Sequence, residues 1–264
     1  MSFLPPAGSW ARWSWSRDIP LGVIAAVLFD GDQTLWDLHK VMAVALAAVL
    51  DELRLARPGA RADALTVADL QSDRAEVARE CAGIEFNMGR LRTLGFARVL
   101  QRLRDEGAPG DESDEHALAA RLSSSYLAHR DRDPALFADT LPCLAALRTD
   151  YRLGLVSNGS RSPDVVGLAG YFKAVVFSQD HNVAKPDRGI FAIVEQLLGI
   201  PPDSAVLVGD HPLNDVVGAK RSGWRAVWLD RTGDGTYRAP EGCREEPDAV
   251  VTSLTQLPDV LRAL

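Results

Sequence analysis

From residue 150 onward, short apolar runs rich in β-branched residues alternate with helical patterns, and that alternation commits the chain to a parallel sheet wrapped by helices. The runs are Arg152 to Val156, Ala174 to Phe177, Ala205 to Val208 and Ala226 to Leu229. Helices are expected over Leu141 to Leu147, Arg188 to Leu198 and Leu213 to Ser222, the second of them stopped by Gly199 and two prolines. Val23 to Phe29 reads as one more buried strand, far from the others in sequence.

Between that strand and the rest lies a stretch with almost no strand-like run. Val41 to Leu55 is an Ala/Leu/Val helical pattern, and Thr66 to Arg79, Asn87 to Leu103 and His116 to Ala128 space apolar positions among charged ones. Gly, Pro and Asp at Arg57 to Ala60 and Gly107 to Asp114 punctuate these segments. The economical reading is an α/β core with an all-helical insertion after its first strand. Residues 21–37 and 133–264 form the core, 38–132 the insertion, and 1–20 an N-terminal extension that holds Trp10, Trp13 and Trp15 and has no assigned function.

Composition narrows the function classes. Hydrophobic residues at 47% and charged residues at 25% are the balance of a globular chain with a buried core. A net charge of −7 disfavours nucleic acid and anionic membrane as partners, since polyanions are met by clustered Lys and Arg. The apolar run Val23 to Phe29 is too short to span a membrane. The three cysteines, Cys81, Cys143 and Cys243, stand far apart without CxxC spacing, so neither a disulfide framework nor a zinc site is expected and a cytoplasmic setting fits. Lysine occurs only at 40, 173, 185 and 220, which makes a lysine in a suggestive place informative.

In an open parallel sheet, ligands bind beyond the carboxyl ends of the strands. Asp30-Gly31-Asp32-Gln33-Thr34-Leu35 follows the first strand, Ser157-Asn158-Gly159 the second, a loop holding Lys185-Pro186 the third, and Gly209-Asp210 with Asn214-Asp215 the fourth. Several carboxylates, one lysine and one serine converging there describe a site for a hard divalent cation, Mg²⁺ before softer metals, together with a phosphoryl group. A carboxylate can attack phosphorus, and a second carboxylate two residues on can protonate the leaving oxygen and then deprotonate water.

Those four spaced motifs resemble the haloacid dehalogenase-like superfamily over about residues 22–230: Asp-x-Asp-x-Thr at Asp30, Asp32 and Thr34, then Ser157, Lys185, and the acidic pair Asp210 and Asp215. The resemblance implies a Rossmann-like core with a helical cap inserted after the first strand. It implies Asp30 as nucleophile and metal ligand, and Asp32 as general acid/base that gives its main-chain carbonyl to the metal. Ser157, Asn158 and Lys185 become the expected phosphate-binding set, with Lys185 also catalytic, and Asp210 a magnesium ligand. Thr34 is expected to shape the loop, and Asp215 to act through water on the metal or as a partner of Lys185. Gln33 and Gln179 stand where the family more often has other residues, at positions that tune the site.

The implied activity is magnesium-dependent hydrolysis of a small phosphorylated metabolite through an aspartyl-phosphate. Asp32 weighs against carbon–halogen cleavage, which needs no proton donor for its leaving group, and Lys40, the lone lysine of the insertion, makes Schiff-base phosphonate chemistry a poor fit. A sugar phosphomutase and a non-catalytic phospho-ligand-binding module stay as alternatives, and the oligomeric state stays open. His211 is expected to line the pocket or pack its loop. In the insertion, Phe86, Asn87, Arg90 and Arg92 invite a substrate-recognition reading, with the wet face of an amphipathic helix the simpler account of the arginines.

Overall fold

The computed structural model describes residues 22–81, 83–84, 87–107 and 111–264, so the tryptophan-bearing extension and Phe86 lie outside the described residues. Its centre is a six-stranded parallel sheet in the order β3-β2-β1-β4-β5-β6. The strands are β1 (Ala26–Phe29), β2 (Arg152–Ser157), β3 (Ala174–Phe177), β4 (Ala205–Gly209), β5 (Arg225–Leu229) and β6 (Ala249–Val251). Phe29 is level with Leu155 of β2 on one side and Val208 of β4 on the other.

Side chains alternate across a strand, and both faces of β1 are covered. Val27 and Phe29 pack with α6 (Thr140–Leu147) and α10 (Leu257–Ala263) through Cys143, Leu144, Leu257 and Leu261. Ala26 and Leu28 face the other layer, where Ile190, Phe191 and Val194 of α8 (Arg188–Leu198) meet Trp224. Each fully buried Val, Leu, Ile or Phe among these contributes about 1.5–3 kcal/mol against exposure. Asp187 caps α8 by accepting from the Gly189 N–H, and Gly199 ends it at φ 61°.

Among the described residues, five α-helices intervene between β1 and the core helix α6: α1 (Leu38–Ala56), α2 (Ala60–Ala64), α3 (Val67–Glu80), α4 (Met88–Asp105) and α5 (Glu112–Arg130). They carry a hydrophobic core of their own. Leu46, Val49, Leu50 and Leu53 of α1 lie at helical spacing against Phe96, Val99, Leu100 and Leu103 of α4 and Leu118, Leu122 and Tyr126 of α5. No helix among the described residues is long and apolar enough to cross a membrane.

Three departures from the sequence reading have local causes. The segment expected as one helix over Leu213 to Ser222 is a π-helical turn, Pro212–Val217, followed by the short α9 (Gly218–Arg221). Pro212 brings no N–H, and the His211 ring nitrogen accepts from the N–H groups of Leu213 and Asn214, both at 3.2 Å. Helix α2 begins at the last residue of the Arg57 to Ala60 punctuation and occupies a stretch too short for a helical period to show. Strand β6 has three residues and pairs with β5 alone, too little sequence for a periodicity to show.

Candidate active site

Asp30 follows β1 at the carboxyl edge of the sheet's centre. Its neighbours β2 and β4 are reached by connections running to opposite sides, which opens a crevice above Asp30. The loop that follows is gathered on one carbonyl: Gly31 O accepts from the N–H groups of Thr34, Leu35 and Trp36 at 3.3, 2.9 and 3.3 Å. Gln33 takes a φ of 61°, uncommon for a residue with a side chain. Its side-chain oxygen accepts from the His39 N–H at 3.1 Å, tying the loop to the start of α1. The loop turns Asp32 back so that its Oδ1 accepts from the Trp36 indole N–H at 2.7 Å.

Lys185 reaches this loop from beyond β3. Its Nζ lies 2.6 Å from Asp30 Oδ1 and 2.6 Å from Asp215 Oδ1, all three side chains buried. The Asn158 amide sets the lysine's main chain, donating to Lys185 O and accepting from Lys185 N–H, each at 2.9 Å. Asn158, expected on phosphate, therefore spends its side chain largely on placing Lys185. Ser157 is buried at the end of β2, its Oγ accepting from the Gly159 N–H at 3.0 Å.

Asp210 ends β4. Thr34 Oγ1 donates to Asp210 Oδ1 at 3.3 Å, and the Trp228 indole donates to Asp210 O at 2.7 Å. Asp215 is fixed twice, by Lys185 and by the His211 N–H at 2.9 Å from Oδ2. Gly209 has to be glycine here, because a Cβ would run into the Asp215 carboxylate, and a Cβ at Gly159 would likewise meet Asp32.

One carboxylate oxygen from each of Asp30, Asp210 and Asp215 lies within 4.8 Å of the others. Of the expected metal set, Asp30 and Asp210 are in this group. The Asp32 carboxylate turns to Trp36, and its expected contribution was the main-chain carbonyl. Three carboxylates and one ammonium leave negative charge in excess, and the proton affinities follow. Burial, reinforced by the charge of Asp215, pushes Asp210 up to about 6. Burial also raises Asp30, with Lys185 pulling the other way and Asp215, Asp32 and Asp210 adding to the rise. Desolvation acts to lower Lys185, yet its two carboxylate partners outweigh that and raise it, so it stays an ammonium ion. Buried carboxylates in excess of their countercharge suit a hard dication held by oxygen.

The model of the haloacid dehalogenase-like hydrolases matches residues 24–223. The chain belongs to this family. Over 92% of its length it is 29% identical to the 5-amino-6-(5-phospho-D-ribitylamino)uracil phosphatase of Escherichia coli, of which it covers 98%. It is also 29% identical, over 92% of itself and 99% of the relative, to the glyceraldehyde 3-phosphate phosphatase of Methanopyrus kandleri. Among solved structures, a 2-haloacid dehalogenase from Pseudomonas syringae pv. Tomato superposes with a TM-score of 0.73 at 29% identity, over 91% of this chain and 99% of that one. The helical insertion after β1 is the cap arrangement of these hydrolases, and the acidic cluster lies at the edge of the sheet that this cap faces.

In this haloacid dehalogenase-like hydrolase the acidic crevice, about 360 Å³, adjoins a second chamber at Asp32, Leu38 and Gly159. The second chamber is walled by cap residues, among them Met42, Leu70, Phe96 and Tyr126, and contains Arg74, Arg92 and Arg130. Arg92 is half-buried there, its guanidinium 4.9 Å from the centre of the Tyr126 ring, which corrects its reading as part of a wet helix face. Arg90 is exposed, and its N–H is capped by Asn87 Oδ1 at 2.9 Å.

Two residues that sequence reasoning passed over belong to the site's frame. Trp36 holds Asp32, and nothing in its sequence position announces that. Arg231 donates to Thr34 O at 2.6 Å and to Asp139 Oδ2 at 2.8 Å. It stands just beyond β5, so the same strand-end test that found Asp30 and Asp210 reaches it when extended by one strand.

Proposed function

We propose that the chain is a magnesium-dependent phosphohydrolase of a small phosphorylated metabolite, with residues 38–132 acting as a cap that keeps bulk water from the reaction. The observation that carries this reading is the meeting of Asp30, Asp210 and Asp215 with the Lys185 ammonium at the switch point of the sheet. Asp30, Asp210 and the Asp32 carbonyl would hold the ion, which supplies positive charge opposite the phosphoryl oxygens.

The chain's own groups account for the steps. Lys185 holds Asp30 Oδ1, and among the described residues Oδ2 takes no hydrogen bond, so it is the oxygen free to attack. Attack forms an O–P bond and breaks the ester P–O bond, and the departing alkoxide takes a proton from Asp32. Asp32, now a carboxylate, removes a proton from water, whose oxygen attacks the aspartyl-phosphate and releases inorganic phosphate and Asp30. Burial raises the proton affinity of Asp32, as a group that must arrive protonated requires. Ser157 and Lys185 line the crevice with Asp30 and would bind the phosphoryl oxygens, with Asn158 holding the main chain of Lys185.

The likeness to a 2-haloacid dehalogenase is the reason to test the alternative directly. A departing halide needs no proton, and a half-buried Asp32 anchored by an indole would have no task in that reaction. The test measures phosphate release from an aryl phosphate and a metabolite panel, and halide release from 2-haloacids, with Mg²⁺ and with chelator, for the wild type, Asp30→Asn and Asp32→Asn. Metal-dependent phosphate release lost in both variants is the expected result. Halide release that survives Asp32→Asn and chelator would replace this reading.

A further inference from the structure

Several cap arginines have carboxylate partners: Arg61 meets Glu106 at 3.1 Å, Arg98 meets Glu76 at 2.9 Å, Arg102 meets Asp73 at 2.8 Å and Arg104 meets Glu115 at 2.9 Å. Two arginines line the inner chamber from α3 and α4, Arg74 exposed and Arg92 half-buried. Among the described residues, Arg92 contacts the Tyr126 ring and no carboxylate, and Arg74 reaches only the Met88 sulfur, at 3.8 Å. The carboxylate nearby is already taken, since both Asp131 oxygens accept from Arg130, at 2.7 and 3.1 Å. Arg161 is spent on the main-chain carbonyls of Arg130, Asp133 and Pro134. A half-buried guanidinium without a countercharge is costly unless something anionic arrives to meet it.

The chamber's size and walls say more about what arrives. It is a partly open chamber of about 100 Å³, room for a small organic group. Met42, Leu46, Leu70 and Phe96 give it apolar walls, and it opens on the acidic crevice beside Asp32, where a leaving group would take its proton.

We propose that this chamber receives the alcohol part of the substrate and that Arg92, assisted by Arg74, binds a carboxylate on it. The substrate class is then the phosphate monoester of a short, largely apolar hydroxy acid. The planar guanidinium matches a carboxylate with two parallel hydrogen bonds. This rests on the phosphohydrolase reading of the acidic site. Burial pulls the Arg92 guanidinium down to about 10, partly opposed by Tyr126, which leaves it charged at neutral pH.

The test separates binding from turnover. Phosphorylated hydroxybutyrate and phosphorylated hydroxybutyramide have the same shape and differ by the one charge. Calorimetric titration of each into the Asp30→Asn protein with Mg²⁺ present is expected to show the acid bound about 30-fold more tightly than the amide. Adding Arg92→Met should bring the two within about threefold, and Arg92→Lys, which keeps the charge without the fork, should fall between. If Arg92→Met does not fold, by circular dichroism, the Arg92→Lys and Arg74→Met proteins carry the same comparison. Equal binding of acid and amide, a preference that survives the arginine substitutions, or binding of neither overturns the proposal. Phosphate release by the wild type reports on the acidic site separately: a preference for the acid with no release from either ester would overturn the hydrolase reading and leave the chamber's assignment standing.

Discussion

Trp36, fully buried, donates its indole N–H to Asp32 Oδ1 at 2.7 Å. Burial raises the Asp32 pKa and this bond draws it back, so one contact governs both where the carboxylate points and when it carries a proton. A group that protonates a departing alcohol matters most when the alcohol leaves poorly. Trp36→Phe removes the donor and keeps an aromatic ring in the core. For an alkyl phosphate kcat should fall about 10-fold to 100-fold, and for an aryl phosphate about threefold or less. Steady-state kinetics on the two esters decide it; an equal loss on both would reduce Trp36 to a space-filling part.

Lys185 compensates two buried carboxylates at 2.6 Å each, and no other cation approaches them as closely among the described residues. Lys185→Met leaves Asp30 and Asp215 uncompensated, a type of change that costs about 3–5 kcal/mol. Phosphatase activity should vanish. The loss of stability should be larger at pH 7.5 than at pH 5, because carboxylates without their ammonium hold protons to higher pH and the native state escapes the repulsion by protonation. Urea unfolding of wild type and variant at the two pH values, free of metal, measures the difference. A cost independent of pH would mean that packing, and not charge, is what the lysine supplies.

Five of the six strands were legible because each is an apolar run bounded by polar loops, and the site was legible because its polar residues stand one after another at strand ends. Asp30, Ser157, Lys185 and Asp210 are separated by long stretches of chain, yet topology alone gathers them. What could not be read were side-chain directions. Arg90 and Arg92 sit two residues apart on α4, one exposed and one over the Tyr126 ring, and their shared charge hides which way each turns. Trp36 is equally silent, since its partner is set by a loop whose shape depends on a residue at positive φ, Gln33. The break of the Pro212 segment into a π-helical turn also depends on a side chain, the His211 ring, accepting main-chain N–H groups.

Metal binding and proton binding should compete at Asp210, whose pKa burial pushes up to about 6. The sign follows from the unfolded value near 4: between pH 4 and 6 the native state holds a proton that the unfolded state has released. Stability of the metal-free protein therefore falls as pH rises through that window, by an amount on the order of 2 kcal/mol from this group. Mg²⁺ replaces the proton, so its stabilising effect should be large at pH 7.5 and small at pH 5. Thermal unfolding with Mg²⁺ and with chelator at both pH values gives the four transition temperatures needed. A metal-induced rise that is the same at pH 5 and pH 7.5 would place the ion away from Asp210.

Arg231 lies over the Phe137 ring, 3.9 Å from its centre, and bridges Asp139 to the carbonyl of Thr34. Thr34 in turn offers its hydroxyl to Asp210, so the arginine is one contact removed from the cation's expected ligand. Arg231→Leu strips a buried carbonyl of its donor and leaves Asp139 with the Ser253 hydroxyl and the Leu254 N–H alone. The expected cost is about 2–3 kcal/mol of stability. If the arginine also sets Thr34, the Mg²⁺ concentration for half-maximal phosphatase activity should rise several-fold while KM for the phosphate ester changes little. Arg231→Lys should recover only part of either effect, since an ammonium cannot hold both partners in the geometry of a planar guanidinium. A fall in transition temperature with unchanged Mg²⁺ dependence would confine Arg231 to the scaffold and leave the placement of Asp210 to Thr34 and Trp228.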